Sequence, residues 1–323
     1  MSLILALTAC ATTPSPSPKS SARPGPEAVQ ASTSGDPVTR SLEAALERRS
    51  WEDLRIESEC QDDTSRLRSA VLFGSGIGIW NHERQITVPR ERLLDLLGEL
   101  SQAGFGAMPE THGGKDDPGT DRPGAWAMEM ICRVRLRLDG VEKQSFQLSK
   151  GRQDAALREL AGKILSVAEE LGASGVTAAS LEDGLAKLAG GELAPETLTL
   201  QLQRQPEDPK AAGGGWILRI EEGRAQITFN TPADGWTAPR RVLLAREEVA
   251  ALARALAAAG LDDLPVNLYS SFYQDFEVRV LNQKKTLQAR RFANVTPETH
   301  GDKQKRFDQL IARLEELEAR VAG

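Results

Sequence analysis

Apolar and polar positions alternate with period two over residues 54–60, where Leu54 and Ile56 stand between Arg55 and Glu57. That period turns one face of a strand inward and the other to water. A glycine-loosened apolar run at 70–81 predicts a second strand, and 85–88 a short third. The period then changes. Leu93, Leu94, Leu96, Leu97 and Leu100 recur at helical spacing between Arg90 and Ala103, and Gly104 supplies a C-cap. A loop rich in Gly, Asp and Pro covers 109–124. Strands follow at 127–138 and 144–148, joined by a turn at Asp139-Gly140. Asp154 opens a helix that carries Leu157, Leu160, Ile164, Leu165, Val167 and Leu171 on one face.

The same order is then written again. Residues 198–203 predict a strand, and 216–221 and 225–230 flank Glu222-Gly223, a hairpin turn signal. A short strand at 241–244 precedes an Ala/Leu helix at 247–259, closed by Gly260. Strands at 272–281 and 286–292 form a hairpin around 282–285, and 297–322 is a long amphipathic helix. The helix exits align best. Leu100, Gly104 and Pro109 match Leu256, Gly260 and Pro265 in register. In both, Gly takes the left-handed cap, an apolar residue folds back, and Pro stops the helix. Each copy therefore reads β-β-β-α-β-β-α. This predicts the α+β class: two tandem copies, each an antiparallel sheet with helices packed on one face. The first copy spans 41–175 and the second 196–323. A connector with a short helix at 178–188 occupies 176–195.

The open face of such a sheet meets water. Arg133, Arg135 and Arg137 alternate with Val134, Leu136 and Leu138, so all three arginines share one side. Lys284, Lys285, Arg290 and Arg291 cluster in the second copy. These seven form a candidate basic face for an acidic protein or an anionic polysaccharide; the alternative is a solvated face with solubilising charge.

The chain opens on a short apolar run that ends Leu7-Thr8-Ala9-Cys10. This resembles the bacterial lipoprotein signal, with 1–10 as the signal and Cys10 as the lipidated residue. No Lys or Arg precedes the run. Signal peptides normally carry one, so a true start upstream of Met1 is expected. The resemblance implies an extracytoplasmic protein anchored to the membrane through Cys10. Ala11 after the cysteine implies the outer membrane in a cell with two. Residues 11–40 hold Pro14, Pro16, Pro18, Pro24, Pro26 and Pro37 among small polar residues. They predict an extended, disordered tether.

The repeat order resembles small domains of the emfourin type and related uncharacterised bacterial lipoprotein domains. The matching stretches are Ala103-Gly104-Phe105 to Pro109 and Ala259-Gly260-Leu261 to Leu264-Pro265, each followed by a hairpin. Emfourins inhibit thermolysin-like metallopeptidases, so the resemblance implies peptidase inhibition. It brings over no functional residues.

Composition narrows the rest. The net charge of −6 argues against nucleic acid as a partner. Cys60 and Cys132 lie in predicted strands. In an oxidising compartment they pair if those strands are neighbours; otherwise they are two buried small apolar side chains. His82, His112 and His300 have no partner at metal-ligand spacing, so neither metal nor cofactor is expected. Gly74, Gly76 and Gly78 lie within a predicted strand with no helix immediately after them, so a phosphate loop is not indicated. The acidic loop 115–121 lacks the calcium-loop pattern. Aromatic residues are 5% of the chain, too few to suggest a stacking platform; Trp216 and Trp236 read as core and turn. The expectation is a non-enzymatic envelope lipoprotein that binds a protein or envelope partner. The alternative is an enzyme with its site between the two copies.

Overall fold

The computed structural model describes residues 35–61, 66–112, 130–148, 154–206, 215–231 and 235–323. Cys10 and the acidic loop 115–121 lie outside these residues.

The first described helix, α1 (Pro37–Arg48), starts inside the stretch expected to be tether. The Asp36 carboxylate accepts the N–H groups of Val38 and Thr39, and Pro37 needs no partner at the first helical position. Val38, Leu42 and Ala45 bury one face. This local capping overrides the Ser/Pro composition around it.

Five strands follow: β1 (Leu54–Gln61), β2 (Leu67–Phe73), β3 (Ile77–Trp80), β4 (Arg84–Thr87) and, after the helix α2 (Arg90–Gln102), β5 (Thr111–His112). A hairpin of β6 (Met130–Leu138) and β7 (Val141–Leu148) leads to α3 (Ala155–Gly172), capped by the Asp154 carboxylate. The single strand expected over 70–81 is thus two strands around a tight turn at 74–76. Gly76 has φ +84° there, and the Trp51 indole donates to Gly74 O at 3.1 Å. A Cβ on Gly74 would overlap that indole, which explains the glycine.

The expected connector holds β8 (Val176–Thr177) and α4 (Leu181–Gly190), the latter capped by Ser180. Then come β9 (Leu198–Pro206), β10 (Gly215–Glu221), β11 (Arg224–Thr231), β12 (Gly235–Trp236) and β13 (Arg240–Leu243). After α5 (Arg246–Ala258) come β14 (Asn267–Leu268), β15 (Phe272–Val280), β16 (Gln283–Ala289) and α6 (Asp302–Ala322). The β15–β16 turn is shorter than the sequence suggested, because Leu281 adopts φ +54° and closes it with Asn282.

The strands form two largely antiparallel sheets, and the fold is α+β. The first has the order β5-β7-β6-β1-β2-β3-β4-β8. The second runs β12-β11-β10-β9-β15-β16-β14, with β13 also on β11. Two hydrophobic clusters fill the described residues. One draws on Val38 to Ala168, including Leu97, Leu100, Phe105 and Leu136. The other draws on Ala178 to Val321, including Leu200, Leu256, Phe276 and Phe307. Helix α1 packs on α2, and α4 packs on α5. Gly104 and Gly260 both sit at positive φ (65° and 60°) where α2 and α5 end, each followed by a single 3₁₀ turn.

Candidate functional site

The three arginines of β6 do share the outward face. The register sets Arg133 opposite Glu59, Arg135 opposite Glu57 and Arg137 opposite Arg55 on β1. Arg133 donates to Glu59 at 2.8 Å. Arg135 reaches Glu142 at 2.6 Å and stands 3.8 Å from Glu57. Arg137 contacts Asp53 at 2.9 Å and also pairs with Glu222. Cross-strand pairing thus turns the expected basic face into one of alternating charge.

The other four lie on the second sheet. Lys284 pairs with Glu277 at 2.8 Å, and Lys285 donates to the Asp262 carbonyl at 3.1 Å. Arg290 lies over Phe292 and Tyr273, 4.6 and 5.8 Å from the ring centroids. Arg291 is exposed and is engaged as well.

The densest ionisable cluster is one that sequence did not single out. It joins the first sheet to the tip of the β10–β11 hairpin. That tip is a tight turn, Glu222 at φ +56° and Gly223 at +70°. It thrusts the Glu222 carboxylate between Arg55 and Arg137, both of which pair with it. Arg55 Nε also lies 2.6 Å from Glu57 Oε1, and Arg224 reaches Asp53 at 3.3 Å. The Arg55–Glu57 contact is close but not aligned as a hydrogen bond, so its strength is Coulombic. Burial lowers the Arg55 pKa from its ordinary value; Glu57 and Glu221 oppose the shift, and Arg137 and Arg135 reinforce it. Three guanidinium groups thus meet three carboxylates, and each cation has a nearby anion. Such a set locks two surfaces together. The local signal was the Glu-Gly turn alone; the ion partners are remote in sequence.

More polar grips sit beside this cluster. Ser75 donates to Glu196 at 2.7 Å, and the Gln85 amide holds Glu192 O and Ala194 N–H.

Cys60 and Cys132 stand directly opposite in the β1–β6 register and are joined by a disulfide. Among the described residues no cluster of His, Cys, Asp and Glu has a metal-binding arrangement. Grooves open between helices: about 610 Å³ between α5 and α6, lined by Leu252, Arg254, Arg313 and Leu317, and about 820 Å³ between α2 and α3, lined by Asp95, Glu99, Lys163 and Glu170. Lys163 donates to Glu99 at 2.5 Å and so bridges the second groove, and its hydrogen bonds to Glu99 and Glu159 raise its pKa above the ordinary value. Trp216 packs on the second hydrophobic cluster, whereas Trp236 is 47% exposed. No helix among the described residues is long and apolar enough to cross a membrane.

No protein-family model matches the chain, and no curated protein is similar to it.

Proposed function

We propose that this chain is a non-catalytic binding protein built from two tandem copies of one α+β unit and held outside the cytoplasm by a lipid on Cys10. The tandem reading draws support from the strand orders. With the two-residue strand β12 set aside, reading β14-β16-β15-β9-β10-β11-β13 against β5-β7-β6-β1-β2-β3-β4 matches each strand with one of the same rank in its half. The flanking helices match too, so apart from the two-residue strands β8 and β12 each unit reads α-β-β-β-β-α-β-β-β-α. The helix of the expected connector is then the first element of the second unit.

One observation carries the binding reading. The titratable groups that the fold concentrates, Asp53, Arg55, Glu57, Arg137, Glu222 and Arg224, are spent on each other where the units meet. The catalytic alternative needs a pocket with titratable groups free to act on a substrate; this cluster joins surfaces instead. The disulfide fits an oxidising compartment.

The test is capture from envelope extracts of the source bacterium with the full, lipidated protein, beside a Cys10→Ala control. The expected result is stoichiometric recovery of one envelope protein, with Cys10→Ala shifting the chain to the soluble fraction. Recovery of no partner would contradict the binding reading, and unchanged fractionation would remove the anchor.

A further inference from the structure

Strands β4 and β13 hold the same place in their sheets, yet among the described residues only β4 has a further strand on its outer edge. Each is a short strand that precedes the helix α2 or α5. β4 carries β8 on its outer edge, with Gln85 facing Val176. Gln85 and Ile86 are accordingly buried. Among the described residues β13 pairs only with β11, and all four of its residues are exposed. Val242 is 38% exposed and Leu243 72%, and the half-exposed Trp236 lies along the same side of β11.

The hydrogen-bond register shows which backbone groups are on offer. Leu244 N–H donates to Gly223 O, which sets 242 and 240 in the bonded register with β11. Antiparallel pairing then turns the N–H and C=O of Arg241 and Leu243 outward. In the first sheet Val88 N–H donates to Gly76 O, which turns Gln85 outward by the same rule, and Gln85 is the residue that meets β8. Arg241 is the counterpart of Gln85.

Charge selects the occupant. Among the described residues Arg240 and Arg241 make no ion pair, and Arg241 donates to the Gln226 amide oxygen at 3.1 Å. A second copy docked edge to edge would bring four arginines together, which like-charge repulsion disfavours. We propose that β13 accepts an extended acidic segment of a protein partner as an added antiparallel strand. Main-chain bonds to Arg241 and Leu243 hold it, and its carboxylates meet Arg240 and Arg241. This inference rests on the binding reading above and names the partner's chemistry.

The probe is a fluorescein-labelled peptide, Gly-Glu-Val-Glu-Val-Glu-Val-Gly, titrated by anisotropy into the full chain. Its controls are a peptide with lysine for each glutamate and one N-methylated at alternate residues. The acidic peptide should bind, the N-methylated one should not, and Arg240→Glu/Arg241→Glu should weaken binding at least tenfold with an unchanged melting curve. Absent binding, equal binding of the lysine peptide or indifference to the double variant would overturn the proposal. A wild-type dimer that the double variant dissociates would give the edge to a second copy instead. Envelope capture that recovers a partner regardless of the double variant would sink this edge assignment and leave the binding reading standing. Capture of nothing sinks the binding reading itself.

Discussion

Arg55, on the outward face of β1, reaches the carboxylate of Glu222 at the tip of the β10–β11 hairpin. The same carboxylate serves Arg137. One turn residue therefore bridges two guanidinium groups, and the side chains of Arg55 and Glu222 are only 18% and 9% exposed. Removing one partner of a buried ion pair leaves an uncompensated charge, which costs more than the pair itself contributes.

Glu222→Ala should therefore destabilise the protein by about 2–3 kcal/mol, a value below the fully buried range because Arg137 keeps some contact with water. The double variant Arg55→Met/Glu222→Leu should recover part of that loss. Urea denaturation of the three proteins checks both. Equal stability of Glu222→Ala and wild type would mean that the cluster does not hold the units together.

The Cys60–Cys132 link closes a loop of 72 residues by sequence separation. Loop-closure entropy for a ring of that size predicts that reduction removes about 4.4 kcal/mol. The urea midpoint should fall in dithiothreitol, and the reduced protein should agree with Cys60→Ala/Cys132→Ala. A reduced protein as stable as the oxidised one would contradict this.

Gly104 and Gly260 end the helices α2 and α5 in the left-handed region. Alanine at either should cost roughly 1 kcal/mol through backbone strain. A Cβ on Gly104 has open space around it, while on Gly260 it meets only the movable guanidinium of Arg306. Thermal melts of the two variants should therefore show similar losses. A loss confined to one of them would argue against equivalent helix exits.

Glu248 accepts the Ala245 N–H at 2.7 Å and pairs with Arg320. The Ala245 hydrogen bond, and after it Arg320, holds the Glu248 carboxyl pKa below the ordinary carboxylate value. A carboxylate with a lowered folded pKa stabilises fully above its unfolded pKa, and the contribution fades as pH falls through the folded one. Glu248→Gln should accordingly lower stability at neutral pH and match wild type once the carboxylate is protonated. The group is a third exposed, so the difference is small, roughly 0.5 kcal/mol. A gap that widens toward acid would reverse the sign and refute the assignment.

Much of the fold was legible because its signals are local. The leucine spacing of α2, the Asp154 cap of α3 and the turns at Asp139-Gly140 and Glu222-Gly223 each fix structure within a few residues. The helix α1 was hidden because its capping Asp36 and Pro37 sit in a Pro/Ser-rich context. The arginines of β6 were placed on the correct face, since period two settles direction. Their neutralisation was not legible, because β1 meets β6 only after the chain has passed through four strands and a helix. The bare edge of β13 was invisible for a related reason. Arg240 to Leu243 read as any short strand, and only comparison with β4 shows that no described strand covers it.

Native-state hydrogen exchange on the full chain tests the proposed two-unit architecture most directly. The amides of β1, β2, β6 and α3 should open as one group, and those of β9, β10, β15 and α6 as another with its own free energy. Glu222→Ala should widen the difference between the groups. A single opening shared by all eight elements would mean one indivisible interior and would contradict the account.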